Sequence, residues 1–349
     1  MDFYLPGDYH GMAMKRAMLW EPAGEGRVRC NLCAHRCVIP EGGRGICMVR
    51  ENRDGTLYTL VYDRIVSQAL DPIEKKPLFH FLPGAPALSI ATVGCNFRCD
   101  FCQNWEISQY PREHDGAILG ERVTSEGLVA QAKTAGAPII AYTYTEPTVF
   151  FELACEAARL ATKEGIKNVF VSNGYFTEEA AREIAPYLQG INIDLKSFSD
   201  EFYRRHCRAS LQPVLDNIER MVELGVWVEV TTLVIPGWND SDEELGWLAE
   251  FLAGVSPDIP WHISRFIPAY RAFDRPPTPV ATLRRAREIG LSAGLKYVYL
   301  GNVPGEGEDT HCPSCGAPLI RRHGFYVLKN RIQDGRCPDC GAEIPGVWS

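Results

Sequence analysis

The sequence predicts an α/β fold, a partial (β/α)6 barrel over residues 85–305 with a small cysteine-rich unit on either side, at 1–84 and 306–349. Two observations predict it. Short apolar runs recur from Ala87 onward, and amphipathic stretches with helix-capping signals separate them. Parallel strands need a crossover, and repeating strand–helix units supply one each time. The runs are ALSIATVG (87–94), PIIAYTYT (138–145), NVFVSNG (168–174), GINIDLK (190–196), WVEVTTLVI (227–235) and WHISRFIP (261–268), with KYVYLGNV (296–303) a candidate seventh. An open doubly wound sheet has the same periodicity. In both architectures chemistry gathers at the C-terminal ends of the strands.

Three helices carry clear punctuation. One runs from Thr148 to Glu164 and stops at Gly165, a residue suited to a left-handed cap. Thr177 is an N-cap, followed by Glu178 and Glu179 at the positive helix start. Ser241 or Asp242 caps a further acidic helix start. Residues 51–84 read as a connector that includes the Pro-rich stretch DPIEKKPLFHFLPG.

Composition narrows the function. The 349 residues are 46% hydrophobic and 23% charged, a globular mixture able to bury a sizeable core. The net charge of -8 offers nothing that draws nucleic acid or an anionic membrane. No apolar stretch is long enough to span a bilayer, and the opening MDFYLPGDYHGMAMK lacks the layout of a signal peptide. Thirteen cysteines then stand out, eleven of them in three tight groups. In a long chain without an export signal, clustered thiols are metal ligands in a reducing cytoplasm rather than disulfides.

The central group, GCNFRCDFCQNW, follows the first run directly and spaces Cys95, Cys99 and Cys102 as C-x3-C-x2-C. Soft thiolates suit iron–sulfur clusters. Three ligands on a [4Fe–4S] cluster leave one iron open, and an open iron can chelate the amino and carboxylate groups of S-adenosylmethionine (SAM). Structural zinc is the competing reading for these thiols. The first flanking group, CNLCAHRC followed by GGRGIC, holds Cys30, Cys33, Cys37 and Cys47; zinc or a second [4Fe–4S] cluster both accept four cysteines at this spacing. The second, HCPSCG and RCPDCG, holds Cys312, Cys315, Cys337 and Cys340 as two facing knuckles of the zinc-ribbon kind. Cys155 reads as a buried helix residue, and Cys207 as a candidate hydrogen donor after the fourth strand.

The C-x3-C-x-aromatic-C motif, with Phe101 in its aromatic position, resembles the radical SAM superfamily. The resemblance implies that SAM is cleaved reductively to a 5′-deoxyadenosyl radical, which abstracts hydrogen from a substrate. It also implies SAM contacts at later strand ends. Glu146 stands where the family places a Gly-Gly-Glu that holds the methionine amine, without the paired glycines. Ser172 and Asn173, before Gly174, face a ribose or the carboxylate. Asp194 and Lys196 match a DxK pattern of glycyl-radical-activating enzymes. Ile235-Pro236-Gly237, His262 and Arg265 are further candidates at strand ends five and six.

More closely, CNLCAHRC, GGRGICMVREN, DPIEKKPLFHFLPG, GCNFRCDFCQNWEIS, TYTEPT, NIDLKSF and HISRF resemble the AmmeMemoRadiSam system radical SAM enzymes, a branch similar to pyruvate formate-lyase activating enzymes. This implies a flavodoxin or ferredoxin as electron donor and an association with Memo-like and AMMECR1-like proteins. It names no substrate, protein or small molecule. The reading from another class is a non-catalytic iron–sulfur and zinc module for electron transfer or nucleic-acid docking; it predicts no adenosine product.

Overall fold

The computed structural model describes residues 15–349. The reading of the opening segment as free of a signal peptide falls on residues 1–14, outside the described residues. An eight-stranded sheet forms the centre of the fold. Its strands are β1 (Ser67–Pro72), β2 (Pro86–Ala91), β3 (Ile139–Tyr142), β4 (Lys167–Ser172), β5 (Gly190–Asp194), β6 (Trp227–Val234), β7 (Trp261–Arg265) and β8 (Val298–Gly301). They lie side by side in chain order. A doubly wound sheet reverses its order partway, so the monotonic order selects the partial barrel.

Strands β2 to β8 are parallel, joined by α1 (Ser125–Thr134), α2 (Phe151–Lys163), α3 (Glu178–Ile184), α4 (Gln212–Glu223), α5 (Asp242–Val255) and α6 (Val280–Ser292). The candidate seventh run is therefore a true barrel strand. The connector is more than a connector: β1 pairs antiparallel with β2 at the sheet edge. Its alternating half-buried pattern and terminal proline suit an edge strand.

The capping signals hold. The Thr177 side chain accepts from Ala180 N, and that of Ser241, rather than Asp242, accepts from Glu244 N. Gly165 turns the chain at φ 73°. The helix expected from Thr148 opens instead with a 3-10 turn over Pro147–Phe150, and the α-helical part begins at Phe151. Pro147 at the first position has no N–H to contribute and fits there.

The N-terminal unit is two small three-stranded sheets. One of its ties to the barrel is a buried ion pair between Arg50 and Glu152 of α2, whose carboxylate also accepts from Met18 N at 2.7 Å. The C-terminal unit is another three-stranded sheet, β9 (Thr310–His311), β10 (Pro318–His323) and β11 (Tyr326–Asn330). Its Arg322 is buried over the Phe79 ring at 4.2 Å and donates to the Phe79 carbonyl at 2.8 Å. No helix among the described residues is long and apolar enough to cross a membrane.

Candidate active site

A cleft of about 420 Å³ opens at the C-terminal ends of the parallel strands. Cys95, Cys99 and Cys102 line it, with Phe101 between them. The loop that carries them starts at Gly94, just past β2, with φ 94°. Only glycine tolerates that conformation beside a packed wall: a Cβ there lies 2.6 Å from Val49 Cγ1 and 3.0 Å from the Cys47 carbonyl. The loop is pinned on its other side, where Arg98 N and Asp100 N donate to the carbonyls of Cys207 and His206.

None of the three thiols is in a disulfide. Burial pushes the Cys95 thiol well above its ordinary value. The adjoining Cys207 thiol and then burial do the same to Cys99, and burial brings Cys102 to about 11. Such thiols stay protonated in the bare protein and ionise when a cation replaces their protons. Phe97 N and Asn173 Nδ2 donate to Cys95 Sγ at 3.4 and 3.9 Å, and Ser108 Oγ lies 3.3 Å from Cys102 Sγ. Polar hydrogens aimed at sulfur tune an iron–sulfur cluster. The donor set therefore fits a [4Fe–4S] cluster.

The other strand ends converge on the same cleft. Ser172, Asn173, Asp194 and Lys196 line it. Lys196 Nζ pairs with Asp194 Oδ2 at 3.0 Å and stands 5.8 Å from the centre of the Phe101 ring. Burial favours the neutral amine of Lys196. The Asp194 carboxylate beside it outweighs burial and holds the ammonium well above its usual range. This pair presents both charges to a zwitterion such as the methionine end of SAM.

Glu146 is placed differently from the expectation. It is fully buried and absent from the cleft wall. Its carboxylate accepts from Thr148 N and Oγ1, from Ser172 Oγ at 2.9 Å and from Asn173 N at 2.8 Å. With those acceptor sites filled by the chain, Glu146 acts as a positioning residue: it fixes the two residues that do face the cleft. Cys207 is likewise fully buried behind Cys99 and does not reach the cleft. Cys155 is buried in α2, as expected of a core thiol. Arg265 donates to the Thr278 carbonyl at 2.8 Å. Ile235 N is held by Asn239 Oδ1 at a loop start. His262 lines the cleft but is committed to Glu229 Oε2 at 2.6 Å and stacks on Tyr299.

Three cleft features escaped the sequence. Lys76 lines it, almost wholly buried, paired with Asp71 of β1 at 2.7 Å and set over the Tyr144 ring at 4.3 Å. Tyr144 leaves the strand pattern at φ 63° and donates to Asp71. Phe325, at the β10–β11 turn, closes the far side from the C-terminal unit. The lone available signal was the density of charge in DPIEKKPLFHF, unusual for a connector.

The two flanking groups differ in geometry. The C-terminal quartet draws its sulfurs within 4.8 Å of one another, with Cys312 to Cys340 at 3.7 Å and Cys315 to Cys337 at 3.8 Å. Among the described residues no other group of three or more potential ligands converges so tightly. Cys30, Cys33, Cys37 and Cys47 instead surround a small cavity of their own.

A parallel barrel with buried cysteines at one cleft mouth defines an iron–sulfur enzyme of the partial-barrel class. The chain belongs to the radical SAM superfamily, whose family model matches residues 89–247. It is 45% identical over 314 residues to the uncharacterized protein MJ0808 of Methanocaldococcus jannaschii, covering 89% of this chain and 92% of that one. It is 25% identical over 166 residues to the pyruvate formate-lyase 1-activating enzyme of Escherichia coli K12, covering 45% and 65%. In fold it is similar to Streptococcus suis SuiB, solved bound to S-adenosylmethionine, with a TM-score of 0.50 at 15% identity over 66% of this chain and 53% of that one.

Proposed function

We propose that this chain cleaves SAM reductively at a [4Fe–4S] cluster held by Cys95, Cys99 and Cys102, and directs the resulting radical at a substrate in the cleft above. The observation that carries the reading is the position of three unbridged thiols at the strand ends, beside the Asp194–Lys196 pair. A cluster held by Cys95, Cys99 and Cys102 would supply the electron that splits SAM into methionine and a 5′-deoxyadenosyl radical. The chain does the rest. Asp194 and Lys196 orient the charged end of SAM. Ser172 and Asn173, fixed by Glu146, offer polar groups beside it. Phe101, Phe97, Phe79 and Phe325 give the cleft an apolar lining that keeps water from a reactive carbon.

The substrate is a protein segment, in the manner of glycyl-radical-activating relatives, or a small molecule, and a flavodoxin or ferredoxin supplies the electron. The motifs that resemble the AmmeMemoRadiSam branch support a working association with Memo-like and AMMECR1-like proteins in the cytoplasm. The C-terminal quartet is part of the same proposal as a structural zinc site. Tetrahedral zinc with Zn–S near 2.3 Å has S···S edges of about 3.8 Å, and two sulfur pairs lie at 3.7 and 3.8 Å.

The test is anaerobic reconstitution with iron and sulfide, addition of SAM and a strong reductant, and chromatographic detection of 5′-deoxyadenosine. Product from the wild type and none from Cys99→Ala supports the reading. No product from a wild type with an intact cluster rejects it.

A further inference from the structure

The N-terminal quartet lies against the loop of the radical cluster. The Cys47 carbonyl touches the position a Gly94 side chain would need, one residue before Cys95. Arg112 donates one amino group to both the Ile46 and the Cys95 carbonyls, so a single guanidinium clamps the two cysteine loops together. His35 Nε2 bonds the Asn96 carbonyl at 2.9 Å, and Asn173 Nδ2 bonds Asn96 Oδ1 at 2.7 Å. One or two residues thus separate each cysteine group from the other.

The chemistry of the cavity points to a cluster rather than a lone ion. Cys30, Cys33, Cys37 and Cys47 all line it, together with Arg50 and Asn96. Among the described residues, neither their sulfurs nor those of Cys95, Cys99 and Cys102 converge as the sulfurs of the C-terminal quartet do. A cubane holds its four thiolates further apart than a single ion does, since each binds a different iron. Arg50 donates to Cys30 Sγ at 3.7 Å. Arg50 Nε and Asn96 Nδ2, on side chains about 1% exposed, have no hydrogen-bond partner among the described residues. Buried donors without acceptors are costly, and the sulfides of an anionic cluster are acceptors of the right charge. Cys33 and Cys37 are half-buried, as Cys102 is at the radical site, so two of the four ligands here and one of the three there stand near solvent.

We propose that Cys30, Cys33, Cys37 and Cys47 hold a closed [4Fe–4S] cluster that receives an electron at the surface and passes it to the cluster at Cys95, Cys99 and Cys102. The step is a one-electron exchange. A low-potential donor of the flavodoxin class reduces the N-terminal cluster from 2+ to 1+. That cluster returns to 2+ as its partner falls to 1+. No proton or covalent bond moves. With four protein ligands the N-terminal cluster has no open iron and does not bind SAM. The transfer step rests on the SAM-cleaving function proposed above; the presence of the cluster does not.

The deciding variant removes the radical-site ligands together, Cys95→Ala, Cys99→Ala and Cys102→Ala, in the full chain. Reconstituted without oxygen, it retains about four irons of the wild type's roughly eight. Its reduced electron paramagnetic resonance signal is indifferent to SAM. Zinc without iron, or no metal at the N-terminal site, overturns the cluster. The converse variant, Cys33→Ser with Cys37→Ser, keeps about four irons and a SAM-sensitive signal, while 5′-deoxyadenosine formation driven by reduced flavodoxin falls at least roughly tenfold. An unchanged rate overturns the relay. Should that variant not fold, rapid freezing of the wild type with reduced flavodoxin decides: the SAM-insensitive signal rises first, and the reverse order overturns the relay. A wild type that makes no 5′-deoxyadenosine while the triple variant holds its irons rejects the proposed activity and leaves the N-terminal cluster standing.

Discussion

Gly94→Ala is the sharpest perturbation of the seam on which the site depends. Gly94 sits at φ 94°, and a methyl group there meets Val49 Cγ1 at 2.6 Å and the Cys47 carbonyl at 3.0 Å. The backbone term is about 1–2 kcal/mol, the cost of a left-handed conformation for an ordinary residue. The overlap adds about 1–3 kcal/mol, because one neighbour is backbone and the loop is clamped by Arg112. The sum is about 2–5 kcal/mol. Gly165→Ala is the internal control: it has a similar φ of 73° with nothing within 4 Å, so it carries the backbone term alone. Urea unfolding followed by circular dichroism reads the difference, and iron content after reconstitution reads the consequence. Gly94→Ala unfolds at lower urea than Gly165→Ala and binds less iron per chain. Equal midpoints with full iron in both refute the reasoning.

Cys315→Ser leaves three ligands at the C-terminal quartet; zinc content falls by about one ion per chain and the ribbon becomes protease-sensitive, while the barrel keeps its iron, as metal analysis and limited proteolysis would show. Phe325→Ala leaves SAM cleavage in the absence of substrate unchanged and lowers the yield of modified substrate per 5′-deoxyadenosine formed, measured by paired product quantitation. Burial draws Lys76 down to about 8, from 10.5 in the unfolded chain. Between these values the unfolded chain carries the extra proton, so stability from this group rises as pH rises through that window, and it is lost as pH falls from 10.5 to 8. Urea midpoints measured from pH 8 to 10.5 therefore climb in the wild type relative to Lys76→Met; parallel curves would contradict the assignment.

Much of the fold was legible because barrel strands buried on both faces read as apolar runs, as in IIAY of β3. Capping chemistry is local, so Thr177 and Ser241 could be named without tertiary knowledge. The edge strand β1 was not legible. SQALDP alternates half-buried and exposed residues and ends in proline, which in isolation is indistinguishable from a loop.

The site shows the same division. Cys95, Cys99, Cys102, Asp194 and Lys196 follow strand ends, and topology alone brings them together. Glu146 failed the expectation because sequence gives position along a strand and not which way a side chain turns after it. At Pro147 the chain enters a 3-10 turn, and the carboxylate folds back under Ser172 and Asn173. Lys76 was hidden because its partners Asp71 and Tyr144 lie on different strands or beyond their ends. The competing reading of the central thiols as a structural zinc site needs four converging ligands; among the described residues the group that converges so is Cys312, Cys315, Cys337 and Cys340, and Cys95, Cys99 and Cys102 are not part of one.

The central claim is that three cysteines leave one iron free to bind SAM. Electron–nuclear double resonance on the reduced protein with SAM labelled with nitrogen-15 at its amino group tests it most directly. The account predicts a hyperfine coupling between that nitrogen and the cluster, present in the wild type and lost in Cys99→Ala. A reduced wild-type cluster with SAM bound and no such coupling would contradict it.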